Sequence, residues 1–85
     1  MHDLLLAQEI YAIIKKETEK NNFKKIIIVV IELGNIIQHN EQITPDNLIY
    51  NLRLIDKNKL FSEKTNFKIL GRSDDLWQLV EIAGK

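Results

Sequence analysis

The chain has 85 residues, of which 45% are hydrophobic and 28% charged, and its twelve basic and twelve acidic side chains cancel. This profile is typical of one small globular domain, and the zero net charge provides no field for nucleic acid or an anionic membrane surface. The sequence contains no cysteine, which excludes disulfides and any zinc site built on thiolates. We therefore expect a single domain over residues 1–85, without zinc, nucleic-acid or membrane partners.

The location of the protein is predicted from its apolar segments. The N-terminus has no basic region followed by a continuous apolar stretch, so no signal peptide is predicted. The apolar run at residues 26–31 is too short to span a bilayer. We expect a cytoplasmic protein.

The first predicted element is a helix over residues 3–20. Leu6, Ile10, Ile13 and Ile14 recur at the spacing of one buried helix face. Asparagines 21 and 22 then tolerate the turn backbone that ends a helix.

A strand is predicted over residues 24–33, because the run at residues 26–31 is entirely β-branched. Strict alternation places Ile26, Ile28 and Val30 on one face, which leaves little room for a polar, solvent-facing side. This face is interpreted either as a surface for self-association or a protein partner, or as a strand face partly covered by loops. Trp77 is a further candidate, either as an interface anchor or as a residue half-buried against a helix.

The remaining elements are a second helix and two strands. Thr44 is a good N-cap, Pro45 suits the first helical position, and Asn58 is predicted to close the helix. Residues 67–70 and 76–82 are predicted to pair as a β-hairpin across a turn at residues 71–75. The predicted fold class is α+β, with two helices on one face of a three-stranded sheet in the order α-β-α-β-β.

Several segments, taken in order, resemble one family. The chain begins Met-His-Asp-Leu-Leu-Leu-Ala, residues 31–36 read Ile-Glu-Leu-Gly-Asn-Ile, residues 44–48 read Thr-Pro-Asp-Asn-Leu, and residues 76–82 form an apolar final strand. Together with Glu63 and the segment 67–69, they resemble the nickel-binding domain of the hydrogenase-maturation nickel chaperones (the HypA/HybF family). Familiar members carry a zinc domain between the last two strands, where this chain has only the short turn at residues 71–75.

The resemblance implies a nickel site at the N-terminus, formed by Met1, His2 and Asp3. The chemistry also follows from the residues themselves. The Met1 amine, the His2 amide nitrogen and the His2 imidazole can close fused five- and six-membered chelate rings on one ion, and Asp3 can supply a fourth donor. A planar nitrogen set suits Ni(II) or Cu(II). The alternative is an exposed terminal histidine without a role. His39, in the polar loop, is interpreted either as a second metal ligand or pH-sensitive group, or as a solvated loop histidine.

Two functions are predicted from these observations. The first is a nickel-binding accessory protein for a nickel enzyme such as [NiFe] hydrogenase, whose partners would be, by resemblance, a nickel-handling maturation GTPase and the hydrogenase large subunit. The second is a protein-interaction or self-associating module that binds no metal. The sequence shows no nucleophile–base pattern and no glycine-rich phosphate loop, so we do not expect an enzyme.

Overall fold

A computed structural model of the chain describes residues 4–38 and 41–85. The elements are α1 (Leu4–Lys20), β1 (Ile26–Leu33), β2 (Ile37–Gln38), β3 (Glu41–Gln42), α2 (Pro45–Leu54), β4 (Phe61–Gly71) and β5 (Trp77–Gly84). The predicted α+β class is confirmed, with two helices, a three-stranded sheet and the order α-β-α-β-β for the long elements. The two-residue strands β2 and β3 pair antiparallel with each other and add a small second ladder before α2.

The three-stranded sheet has the order β4-β1-β5, so the prediction that the last two strands form a hairpin is wrong. Strand β1 lies between them, parallel to β4 and antiparallel to β5. A central strand has a hydrogen-bonded neighbour at each edge. This position suits β1, because it is the most β-branched segment of the chain and would be prone to pair with other chains if it were an edge strand. The polar segment before β5 therefore crosses the end of β1 instead of turning back on β4.

This crossing is fixed by backbone hydrogen bonds to the end of β1. The Arg72 N–H donates to the Leu33 carbonyl over 3.2 Å, and the Gly34 N–H donates to the Leu76 carbonyl over 2.8 Å. The Asn35 N–H donates to the Asp74 carbonyl over 2.7 Å. A β-carbon on Gly34 would lie 2.1 Å from that same Asp74 oxygen, so glycine is the residue that permits the close approach.

The side-chain alternation of β1 is interrupted near its start. The pairing of β1 with both neighbours shifts between Ile26 and Ile28, and Ile26 is 1% exposed whereas Ile27 is 45% exposed. One extra residue in a strand reverses the faces on either side of it. The assignment of Ile26 to the outer face is therefore wrong, because Ile26 packs in the core with Val29, Ile31 and Leu33.

The core lies between the helices and this inner face of the sheet. Helix α1 packs against α2 and β5, and α2 packs against β4. The buried cluster consists of Leu6, Ala7, Ile10, Tyr11, Ile14, Ile26, Val29, Ile31, Leu33, Ile43, Leu48 and Leu52. Its α1 members follow the predicted helical spacing, except that Ile13 is exposed.

The ends of the helices agree in part with the sequence. Asn22 has the positive φ of 57° expected after α1, and Thr44 accepts the N–H of Asn47 as the predicted N-cap of α2. Helix α2 ends at Leu54, however, and not at Asn58. The carboxylate of Asp56 accepts the N–H groups of Leu60 and Phe61 over 2.8 Å each, which stabilises a turn in place of further helix.

Candidate functional site

The residues predicted to bind nickel, Met1, His2 and Asp3, lie outside the described residues, and so does His39. The described chain starts at Leu4, the first residue of α1. Leu6 and Ala7, in the first turn of that helix, are 2% and 0% exposed. The three candidate ligands therefore directly precede, in sequence, a helix that is held in the core from its first turn.

Because both histidines of the chain lie outside the described ranges, carboxylates are the candidate metal ligands within them, and these are dispersed. Among residues 4–38 and 41–85, no group of three or more His, Cys, Asp or Glu side chains lies close enough to hold a metal ion. The Asp74 carboxylate accepts hydrogen bonds from Arg72 and from the Leu76 N–H. Asp74 is thus engaged in the crossing before β5, as a turn residue would be.

An Arg72 cluster closes this crossing. The Arg72 guanidinium donates two parallel hydrogen bonds of 2.8 Å to Asp74 and one of 3.3 Å to Glu32 of β1. The hydrogen bond from Arg72, followed by that from the Leu76 N–H, holds the pKa of Asp74 below its usual value. The cluster links the crossing segment to the outer side of β1.

A second polar contact joins α1 to the turn that follows α2. The Tyr11 hydroxyl on α1 donates a hydrogen bond of 2.6 Å to Asp56, just after α2. Burial, and then this hydrogen bond, raise the pKa of Tyr11. Because Asp56 also accepts two backbone N–H groups, one carboxylate fixes the turn and ties it to α1.

Arg53 forms a clamp between α2 and β4. Its guanidinium donates to the Ser62 carbonyl over 2.8 Å and to the Thr65 carbonyl over 3.0 Å, and it lies 5.0 Å from the centre of the Phe67 ring. The Thr65 hydroxyl donates to the Ile26 carbonyl over 2.7 Å. These contacts hold the irregular start of β4 against β1, where the register of the two strands shifts.

The outer face of the sheet, on the side away from the helices, carries a central apolar strip. Ile28 is half-buried and Val30 is 7% exposed, and neither belongs to the core cluster. Val30 pairs in register with Lys68 of β4 on one side and with Glu81 of β5 on the other. Both charged side chains are exposed.

The β5 part of this face contains a second irregularity. The pairing of β5 with β1 shifts between Val30 and Ile31, and Val80 is 48% exposed. Val80 and Glu81 lie between Leu79 and Ile82, which both pack against the core. Because Leu79 and Ile82 both point inward, the two residues between them form a bulge, and Val80 lies beside Glu81 on the outer face.

Of the four candidate interface residues, the structure assigns only two to the outer face. Ile28 and Val30 lie there, whereas Ile26 is in the core and Trp77 packs against the core from β5. Sequence reasoning missed Lys68 and Glu81. Their relation to Val30 depends on β1 being central, and the hairpin prediction had paired their strands directly.

Comparisons with protein-family models, with curated proteins and with solved structures give no match. Within the described residues, no helix is both long and apolar enough to cross a membrane.

Proposed function

We propose that this chain is a cytoplasmic nickel-carrying accessory protein, which binds Ni(II) as cargo at its N-terminus and passes it to a nickel enzyme such as [NiFe] hydrogenase. The observation that carries the proposal is the donor set of the first three residues: an amine, an amide nitrogen and an imidazole that can chelate one ion in a plane. By resemblance, its partners are a nickel-handling maturation GTPase and the hydrogenase large subunit.

The fold supports this proposal in two ways. The α-β-α-β-β order predicted from the sequence pattern is present in the structure, and the segments that carry the resemblance follow one another along it. The crossing between Gly71 and Trp77 is closed by hydrogen bonds to Gly34 and Asn35 of the same domain. The three strands can therefore assemble without a zinc domain inserted at this point.

Three residues have separate roles in the proposed site. The Met1 amine and the His2 amide close the five-membered ring, and the His2 imidazole closes the six-membered ring on the same amide. Asp3 completes the set through its amide or its carboxylate. Because the His2 amide must lose its proton, nickel binding releases protons and strengthens as pH rises.

The test is a competition titration of Ni(II) against a chelator, using protein that begins at Met1 and carries no N-terminal tag. We expect His2→Ala to weaken nickel binding by more than about tenfold, because a direct ligand is lost. The matched control is His39→Ala, which removes the other histidine and should bind as the unaltered protein does. Equal affinity of His2→Ala and the unaltered protein would exclude this site.

A second candidate function is favoured by the outer sheet face. Ile28 and Val30 give this face an apolar centre. Such a centre is expected of a protein-interaction or self-associating module that binds no metal. The same titration separates the two functions, since the module predicts no nickel affinity beyond that of the His2→Ala variant.

A further inference from the structure

We propose that the outer face of the sheet binds a second copy of this chain, face to face, around a two-fold axis that runs along β1. The charges on this face indicate that its binding partner is another copy of the same chain. Lys68 and Glu81 have opposite charges, stand at the same level as Val30 and lie on opposite sides of it. The face therefore carries a pattern that is complementary to its own rotated copy.

The direction of the axis decides which side chains meet. A two-fold axis along β1 places β4 of one copy over β5 of the other, so that each Lys68 faces the Glu81 of its partner and Val30 faces Val30. An axis across the strands would instead place β4 over β4 and bring like charges together. Charge complementarity thus selects the axis along β1, and it produces two equivalent ion pairs, as an isologous interface requires.

Apolar side chains provide the centre of the interface. Ile28 and Val30 lie along the axis. The register shift at the start of β1 adds Ile27 to this apolar group, and the shift in β5 adds Val80; these side chains are 45% and 48% exposed. Leu70 of β4, 37% exposed, lies level with Glu32. Val30 is already buried in the single chain, so the apolar surface removed from water would come from Ile28, Ile27, Val80 and Leu70 as the two sheets pack about 10 Å apart.

Glu32 also lies on β1 and would meet its own copy near the axis. Arg72 donates a hydrogen bond of 3.3 Å to Glu32 in each chain, and this contact offsets the like charges. Glu32 is near the end of β1, where the twist of two stacked sheets separates them. Glu32 is therefore the least favourable part of the interface, and the two sheets would pack most tightly at Val30.

The size of the face sets the strength of the dimer. Three strands and seven residue levels correspond to a footprint of about 14 Å by 23 Å. This footprint, about 320 Å² on each copy, is smaller than the roughly 800 Å² per partner of a standard specific interface, so the dimer should be weak and should dissociate on dilution. Association should therefore be visible as a dependence of molecular mass on protein concentration.

The experiment is sedimentation equilibrium over a concentration series at low salt, with EDTA present so that metal-bridged association cannot contribute. The unaltered protein should shift from monomer to dimer. Lys68→Glu and Glu81→Lys should each raise the dimer Kd by about tenfold, because each replaces two attractive contacts by two repulsive ones. Both positions are exposed, and thermal melting of dilute samples checks that each variant is folded.

Two further samples test the arrangement itself. An equimolar mixture of Lys68→Glu and Glu81→Lys should form a heterodimer, since each Glu then faces a Lys. The double variant, in which the two charges are exchanged, should self-associate as the unaltered protein does. Lys16→Glu and Glu19→Lys, at exposed positions of α1, change the net charge by the same amounts and should leave the dimer intact.

The contrary results are equally definite. A monomer at every concentration overturns the proposal, and so does unchanged association of both single variants, which would indicate pairing through a sheet edge. Failure of the double variant to associate overturns the axis along β1.

Discussion

Arg53 illustrates how one side chain on α2 determines the shape of β4. Its planar group satisfies two carbonyls, those of Ser62 and Thr65, and lies over the ring of Phe67. A guanidinium reaches two acceptors at once, which an ammonium group does not do in the same geometry. The irregular start of β4 therefore depends on this residue more than on its own sequence.

Arg53→Met should lower the free energy of unfolding by about 1–2 kcal/mol, because the two carbonyls lose their donors while the aliphatic stem is kept. Urea denaturation measures the change. Lys57→Met, at an exposed position just after the same helix, is the control and should be close to neutral. Equal stability of Arg53→Met and the unaltered protein would contradict the clamp.

Tyr11 and Asp56 provide a second case at this scale. Tyr11→Phe removes the donor of the 2.6 Å hydrogen bond, while Asp56 keeps two backbone donors. We expect a loss of about 1 kcal/mol in urea denaturation, in the range measured for single hydrogen bonds in proteins. A loss no larger than that of Tyr50→Phe, an exposed tyrosine on α2, would show that the bond contributes nothing.

Asp74 makes stability depend on pH. Arg72 lowers the pKa of Asp74 in the folded state, so its contribution is present above the unfolded pKa of about 3.9 and is lost as pH falls through the lower, folded value. Asp74→Asn should therefore lower the urea midpoint at pH 7 and converge on the unaltered protein in strong acid. Asp75→Asn is the neighbouring control. A difference that persists unchanged at low pH would contradict this assignment.

The crossing from β4 to β5 is the decisive feature at the scale of elements, and Gly34 permits it. A β-carbon at Gly34 would lie 2.1 Å from the Asp74 oxygen and 2.8 Å from the Leu76 oxygen, both in backbone. Gly34→Ala should therefore cost about 3 kcal/mol, because backbone must shift to relieve the overlap.

Gly71→Ala is the matched control, since no atom lies within 4 Å of the added β-carbon. The two variants are compared by thermal and urea denaturation. Similar stabilities for both would contradict the close approach of the Asp74 and Leu76 backbone to Gly34.

The elements that could be predicted from the sequence are those defined by local patterns. The helical spacing of Leu6, Ile10 and Ile14, the N-cap Thr44 and the β-branched run of β1 each determine a structure within a few residues. The strand order could not be predicted in this way, because it depends on which edges of β1 are covered by distant segments. The shift between Ile26 and Ile28 was equally hidden, since a run of isoleucines and valines has no polar residue to mark an irregularity.

At the scale of the whole molecule, the two candidate sites depend on different features of the chain. The outer face follows from the sheet order, because Lys68 and Glu81 flank Val30 only when β1 lies between β4 and β5. The proposed nickel site rests on the chemistry of Met1, His2 and Asp3, which depends on the local sequence and not on the fold. The sequence could therefore suggest the metal site but not the geometry of the interface.

The measurement that tests the nickel proposal most directly compares the chain with a free amine at Met1 and the same chain acetylated there. Acetylation leaves His2 and Asp3 unchanged but removes the amine from the chelate. We predict that the free chain binds Ni(II) with proton release and increasing affinity from pH 6 to about pH 8, and that acetylation abolishes both effects. Equal nickel affinity and equal proton release in the two forms would contradict an N-terminal nickel site.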